Sequence, residues 1–306
     1  MGEGKGLVWP RRSEEGDHAW RRGLQQRPGE ARLLAIARQT QVVASPVART
    51  APALLLHNDR GGIATLTLNR PEQFNALSHA LLGTIMAELT KLQHDESVRV
   101  VIIAGAGEAF CAGLDLKELR GFNDPVLAHP VFTLCGDLML KLMSLPQPVI
   151  ARVHGIATAA GCQLVGACDL AVASSDARFA ASGINVGLFC STPGVAIARN
   201  VPRKKAMEML LTGDFIDAHT ALAQGLVNQV VAPDALDEAV QSLAAKILSK
   251  PRVAIADGKR VFYEQIEVDT EAAYSIAADE MTRNLFAADT REGIDAFLQK
   301  RPPRWS

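Results

Sequence analysis

Val149-Ile150-Ala151-Arg152-Val153-His154-Gly155-Ile156-Ala157-Thr158-Ala159-Ala160-Gly161-Cys162-Gln163 reads as a buried strand that hands over, through a run of small residues, to an apolar helix. The β-branched run 149–153 has the makeup of a strand covered on both faces. The small side chains that follow let a helix begin close behind it, and the first N–H groups of such a helix lack intrahelical acceptors. Groups of that kind bind anions. Toward the N-terminus the same handover recurs, where the strand 100–104 leads into Ala109-Phe110-Cys111-Ala112-Gly113-Leu114-Asp115-Leu116 with a helix starting at Asp115. Two such turns brought together would make an oxyanion hole, in which loss of one donor costs about 3–4 kcal/mol. Small residues at strand–helix junctions also serve simply for close packing, and the residue pattern leaves both readings open.

Around these turns the texture alternates between short β-rich runs and amphipathic helices, the mark of an α/β layer architecture. Residues 54–57 and 63–68 flank Asp59-Arg60-Gly61-Gly62 and predict a hairpin, which Asn69-Arg70-Pro71 ends. Ser78 is placed to cap a helix with Leu81, Leu82, Ile85, Met86, Leu89 and Leu92 on one stripe. Asp217 predicts another N-cap, with a helix through Gln224 that stops at Gly225 and a strand over 226–231. From Asp234 the pattern is helical almost to the end, which divides a core over 53–245 from a helical region over 246–306. Residues 1–52, rich in Arg and small residues without periodicity, predict a flexible extension; 32–49 carries only basic charges, as a mitochondrial presequence does, but Glu14, Glu15 and Asp17 argue against one.

The chain has 306 residues and a formal net charge of -1, so charge supplies no general attraction to nucleic acid or to an anionic membrane. Gln163 and Asp169 interrupt the greasiest stretch, 157–173, and a soluble protein without membrane partners is expected. Five cysteines in apolar segments, without metal-binding spacing, predict buried reduced thiols and no metal site.

Asn69-Arg70-Pro71 with Asn75-Ala76-Leu77, Phe110 through Lys117, Pro148 through Leu164 with Cys168-Asp169, Leu211-Thr212-Gly213-Asp214, Ala223 through Val227, and Glu292 through Arg301 stand in order and at fitting distances. In that series the chain resembles the crotonase, or enoyl-CoA hydratase/isomerase, superfamily over roughly 53–304. The resemblance implies a spiral of ββα units with a C-terminal helical oligomerisation region, a homotrimer or dimer of trimers, and an acyl-CoA thioester whose oxygen enters the hole. No cofactor is held tightly; coenzyme A arrives as part of the substrate. By the resemblance the two donors are the N–H groups of Leu114 and Ala160, Ala160 taking a turn conformation that relatives often give to glycine. Coenzyme contacts fall to Ala112, Asp115, Lys117, Phe297 and Lys300.

One part of the pattern breaks. Where hydratases of the family carry two acid–base glutamates, this sequence has Gln163 and Gly183, and neither exchanges a proton near neutral pH. A branch of the family shares both replacements. Ordinary hydration is therefore doubtful, since each acid–base group contributes about 10²–10⁴-fold. Gln163 remains able to orient a water, and Ser191 sits where some relatives carry an acid, though a serine is no base unaided. Cys190 would need a lowered pKa to act as a nucleophile, and His154 is expected in a structural hydrogen bond. What remains is an enzyme performing isomerisation, decarboxylation or thioester cleavage, or else a non-catalytic acyl-CoA binding or regulatory oligomer. A serine peptidase of related fold would need His and Asp partners for Ser191 that stand at no suitable spacing. The compartment expected is cytoplasmic for a bacterial chain, with the mitochondrial matrix as the alternative.

Overall fold

A computed structural model describes residues 52–306. The extension expected over 1–52 falls, but for its last residue, outside them. The strands are β1 (Leu55–Arg60), β2 (Ile63–Leu68), β3 (Val100–Gly105), β4 (Val149–Val153), β5 (Ile156–Thr158), β6 (Leu170–Ser174), β7 (Arg178–Ala180), β8 (Ile216–Asp217) and β9 (Gln229–Val231). The helices are α1 (His79–Leu92), α2 (Leu116–Gly121), α3 (Pro125–Ser144), α4 (Ala160–Ala167), α5 (Ser191–Asn200), α6 (Arg203–Thr212), α7 (Ala218–Ala223), α8 (Leu236–Leu248), α9 (Arg252–Gln265), α10 (Thr270–Leu285) and α11 (Ala288–Leu298).

Six strands form one sheet in the order β1-β2-β3-β4-β6-β9, parallel except for the β1–β2 hairpin, and β5, β7 and β8 form a second. The hairpin turn is the tight pair Gly61 and Gly62, both at positive φ (59° and 82°), the conformation that matches strand twist. Two strand–strand–helix turns step from the large sheet to the small one: β4 runs into β5 and α4, and β6 into β7 and on to α5. These steps build the spiral that the resemblance implies.

Period-two alternation explains the central strand. Val101 and Ile103 of β3 enter the main core with Leu81, Leu82, Ile85 and Leu89 of α1, while Val100 and Ile102 face Leu236, Val240 and Ala244 of α8. Helix α1 starts as expected, the Ser78 hydroxyl accepting from the Leu81 N–H at 3.2 Å. Helix α3 has the length and apolarity to cross a membrane by composition alone, which the sequence reading passed over. Its Val131, Cys135, Leu138, Met139 and Leu142 are buried in the protein core instead.

Two sequence expectations shift. The strand expected over 226–231 forms only at Gln229–Val231. Before it, the Leu226 N–H closes the end of α7 on Ala221 O and the Asn228 side chain takes the Ala171 N–H, so those residues are already committed. The division placed at 245 falls within α8, whose buried stripe covers the large sheet. Helix α9 is tied to the core by Lys259, whose ammonium lies 2.6 Å from Asp169 and also donates to the Leu142 and Gln147 carbonyls. Tyr263 donates to the same carboxylate at 2.8 Å. Burial depresses the Lys259 pKa, with Asp169 opposing, and pushes the Tyr263 phenol up. Beyond this anchor α10 and α11 expose Tyr274, Met281 and Phe297, at 75%, 76% and 81%.

Candidate active site

The first turn is braced from behind. Asn75, fully buried and left-handed (φ 56°), donates to the Ala106 and Ala109 carbonyls at 2.8 and 2.7 Å and accepts from the Arg70 N–H. Asparagine tolerates that backbone region better than most residues. Three main-chain bonds then rivet the loops together: Ala112 N–H to Phe74 O, Leu77 N–H to Gly113 O, and Asp115 N–H to Leu77 O. The Asp115 carboxylate caps α2 and takes a 2.8 Å hydrogen bond from the Arg70 guanidinium. Arg70 beside it, with the two cap N–H groups, holds its carboxyl below the ordinary 3.8. Asp115, expected among the coenzyme contacts, thus has its oxygens engaged within the protein. The motif residues Arg70 and Asn75 thus hold the turn in place, and their signal in the sequence is a short loop carrying Arg and a turn-prone Asn ahead of a small-residue turn.

The second turn is drawn against the first. The Cys111 N–H donates to Ile156 O and its carbonyl accepts from the Thr158 N–H, both at 3.0 Å. Glycine makes the approach possible: a Cβ on Gly161 would stand 2.1 Å from Cys111 O, and one on Gly155 2.0 Å from Glu108 O. Gly113, at φ +94°, lies so close to the other turn that its missing Cβ would be 3.2 Å from the Ala160 nitrogen. The approach brings the turn carrying Leu114 up to the Ala160 nitrogen, and neither the Leu114 nor the Ala160 N–H has an acceptor among the described residues. Leu114 is half-buried and Ala160 buried. The unusual conformation was expected at Ala160, but it falls one residue earlier, at Ala159 (φ 49°, ψ −119°), because α4 begins at Ala160. His154 bridges to Gly107 O at 2.8 Å.

The side-chain half of the site is neutral. Gln163 lies one turn along α4, only 3% exposed, with its amide oxygen taking a long 3.8 Å contact from the Cys135 thiol and its amide nitrogen donating to no acceptor among the described residues. Gly183 lies beneath the loop that follows it. A Cβ there would meet Leu188 O at 2.5 Å and Cys190 Sγ at 2.8 Å, and the Gly183 N–H donates to that sulfur at 3.3 Å. Cys190 is buried and its thiol is pushed up by burial. Burial likewise lifts Cys111, Cys135 and Cys162 to about 12. All five cysteines are free and buried.

Four of the remaining expected residues, Ser191, Lys117, Phe297 and Lys300, are exposed. Ser191 is exposed at the start of α5, its hydroxyl donating at 3.4 Å to Phe189 O and, among the described residues, to no His or carboxylate. Ala112 is half-buried beside the first turn, and Lys117 is exposed on α2. Phe297, on α11, and Lys300, at φ 53° just after it, are exposed, and no hydrogen bond or ion pair among the described residues joins them to the two turns.

Comparison with known proteins follows the same outline. The Enoyl-CoA hydratase/isomerase family profile matches residues 58–306. Rat mitochondrial enoyl-CoA hydratase domain-containing protein 3 is 45% identical over 255 residues, 83% of this chain and 85% of that protein. The crystal structure of an enoyl-CoA hydratase from Mycobacterium smegmatis is 57% identical with a TM-score of 0.82, covering 83% of this chain and 99% of that one. The human enoyl Coenzyme A hydratase domain-containing protein 3 is 44% identical with a TM-score of 0.80, over 83% and 100% of the two chains.

Proposed function

The chain belongs to the enoyl-CoA hydratase/isomerase family, and from that premise we propose that it binds acyl-CoA thioesters and stabilises an enolate or tetrahedral oxyanion on the main-chain N–H groups of Leu114 and Ala160. The observation that carries the reading is their juxtaposition, unpaired, beside a buried amide. Fixed donors cost no reorganisation when charge develops on the carbonyl oxygen, and a partly dry site makes each of them count for more than in water. Ordinary hydration is weak or absent, because neither Gln163 nor Gly183 exchanges a proton near neutral pH. Coenzyme A comes and goes with the substrate, its handle passing Ala112 and Lys117, with Phe297 and Lys300 as further contacts.

A second reading, a non-catalytic acyl-CoA binding oligomer, is favoured by the same neutrality of Gln163 and Cys190. In either case the exposed apolar residues of α10 and α11 are covered by copies of the chain in a homotrimer or a dimer of trimers. The compartment is the cytoplasm if the chain is bacterial, with the mitochondrial matrix as the alternative, and the mitochondrial rat relative is compatible with that alternative.

Titration with butyryl-CoA carrying a labelled thioester carbonyl tests the reading. Binding is expected with a fall in the carbonyl stretching frequency, as two N–H groups draw charge onto the oxygen. Binding without that fall removes the oxyanion hole. No binding removes the acyl-CoA reading altogether, and binding of every thioester without turnover leaves the non-catalytic oligomer.

A further inference from the structure

Ala159 sits at φ 49° and ψ −119°, a region that residues with a Cβ avoid and glycine enters freely. A conformation of that kind persists only where its surroundings over-determine it. It is also the conformation that aims the Ala160 N–H, because the rigid peptide between the two residues turns with the ψ of Ala159. Two routes would relieve the strain. In the first, the peptide between Ala159 and Ala160 turns over, which takes Ala159 toward the left-handed helical region. That route is closed by the Gln163 N–H, which donates to Ala159 O at 3.0 Å. In the second, the chain before Ala159 rotates against the chain after it. Helix α4 is held by packing, since all its residues except Gly166 are buried, so the rotation would have to carry Thr158.

Thr158 is held by its side chain. It is 8% exposed, and its Oγ1 lies 2.6 Å from Ser182 Oγ and 3.3 Å from Ala180 O. A hydroxyl has a single proton to give, so both contacts are hydrogen bonds at once only when Ser182 donates to Thr158 and Thr158 donates to the carbonyl. Ala180 O then takes the Thr158 O–H beside the Ala159 N–H, which reaches it at 2.9 Å. These bonds stand where backbone pairing gives out, for the ladder of β5 with β7 covers three residues and ends at Thr158 opposite Ala180. The Thr158 N–H donates to Cys111 O at 3.0 Å, so the clamped residue also registers the second turn on the first. Resting on the oxyanion reading above, we infer that Thr158 and Ser182 are positioning residues: their hydroxyl pair holds Ala159 in its strained form and so keeps the Ala160 N–H on the thioester oxygen. They act through that N–H and not on the substrate.

The test compares two ligands of the full-length protein, butyryl-CoA and S-butyl-CoA, a thioether with a methylene in place of the carbonyl. The unaltered chain is expected to bind butyryl-CoA at least about 10-fold more tightly than S-butyl-CoA, the weight of two hydrogen bonds. Thr158→Val keeps the shape and removes the hydroxyl. It should weaken butyryl-CoA about 5-fold, the weight of one such bond, and leave S-butyl-CoA unchanged. Ser182→Ala, at a partly exposed position where folding is less at stake, should act in the same sense. Two changes should recover the loss: Thr158→Ser, which returns the hydroxyl, and Ala159→Gly placed beside Thr158→Val, since glycine takes the same φ and ψ without a clamp. A purely structural hydroxyl pair would move both ligands alike, or neither, and would gain nothing from the glycine; that result overturns the inference and leaves the oxyanion reading standing. Equal binding of butyryl- and S-butyl-CoA by the unaltered chain removes the oxyanion reading beneath it, and binding of neither removes the acyl-CoA reading as well.

Discussion

The two halves of the site are built on different principles. The main-chain half, from Gly113 to Asp115 and from Ala159 to Gly161, is held by glycines at close approaches, by three backbone bonds to the 74–77 loop and by the Arg70–Asp115 pair. The side-chain half, Gln163 with Gly183 and Cys190, carries no charge and little internal hydrogen bonding. Binding an oxygen needs only N–H groups in the right place, which any side chains compatible with the backbone can present. Moving a proton needs particular side chains with particular pKa values. A family scaffold can therefore keep the first capacity while the second changes.

The contrast is most easily broken at Gly161. Gly161→Ala places a methyl 2.1 Å from the Cys111 carbonyl and forces the two turns apart. A loss of about 3 kcal/mol or more is expected in urea unfolding, since neither backbone can yield cheaply. A near-neutral result would show that the turns are not packed as described. In the side-chain half, the double variant Gln163→Glu, Gly183→Glu should lose about 1–3 kcal/mol to overpacking against Leu188 and Cys190. It should hydrate crotonyl-CoA no faster than the unaltered chain, followed by absorbance of the enoyl thioester. Recovery of hydration would mean that the loop over Gly183 opens freely and that two side chains are the whole difference.

Asp115→Asn sharpens the account of the main-chain half. Asparagine keeps the helix cap but loses the charge toward Arg70, at a cost of about 1–2 kcal/mol at neutral pH. Because the folded-state pKa of Asp115 is depressed, its contribution is present above the ordinary 3.8 and is lost as pH falls below it toward the depressed value. Denaturation midpoints of the two proteins should therefore converge in acid. A gap that stayed constant with pH would show that Arg70 stabilises Asp115 by geometry alone. The smallest effect is expected at Ala159, where φ is 49° and ψ −119°. Ala159→Gly should stabilise by about 0.5–1 kcal/mol, the relieved strain less the added freedom of glycine in the unfolded chain. A fall in melting temperature would show that the Ala159 methyl, which a Cβ on Gly113 would approach to 3.0 Å, matters for packing.

Much of the scaffold was legible because its signals are local. The hairpin announced itself through Gly61-Gly62, α1 through Ser78 and an apolar stripe, and β3 and β4 through β-branched runs. The strand after α7 was overextended because Leu226 and Val227 look like strand residues and are buried, but as the end of a helix cap. The length of α3 was hidden by Pro130, Asp137 and Lys141. The resemblance implied Leu114 and Ala160 as donors with a turn conformation at Ala160, whereas the positive φ falls at Ala159, since the first residue of a helix and the residue before it cannot be told apart without φ and ψ.

From its sequence alone the chain determined the series of strand–turn–helix units, the small residues at their junctions, and the neutral side of the site at Gln163 and Gly183. Propensity, capping and identity are properties of a few neighbouring residues. Only the tertiary structure decided that Arg70 engages Asp115, that Gly113 rests against Ala160, and that the Cys190 sulfur fills the space over Gly183. Those facts depend on where separate loops arrive, and the path of a loop is set by the packing of the core beneath it rather than by the residues it carries.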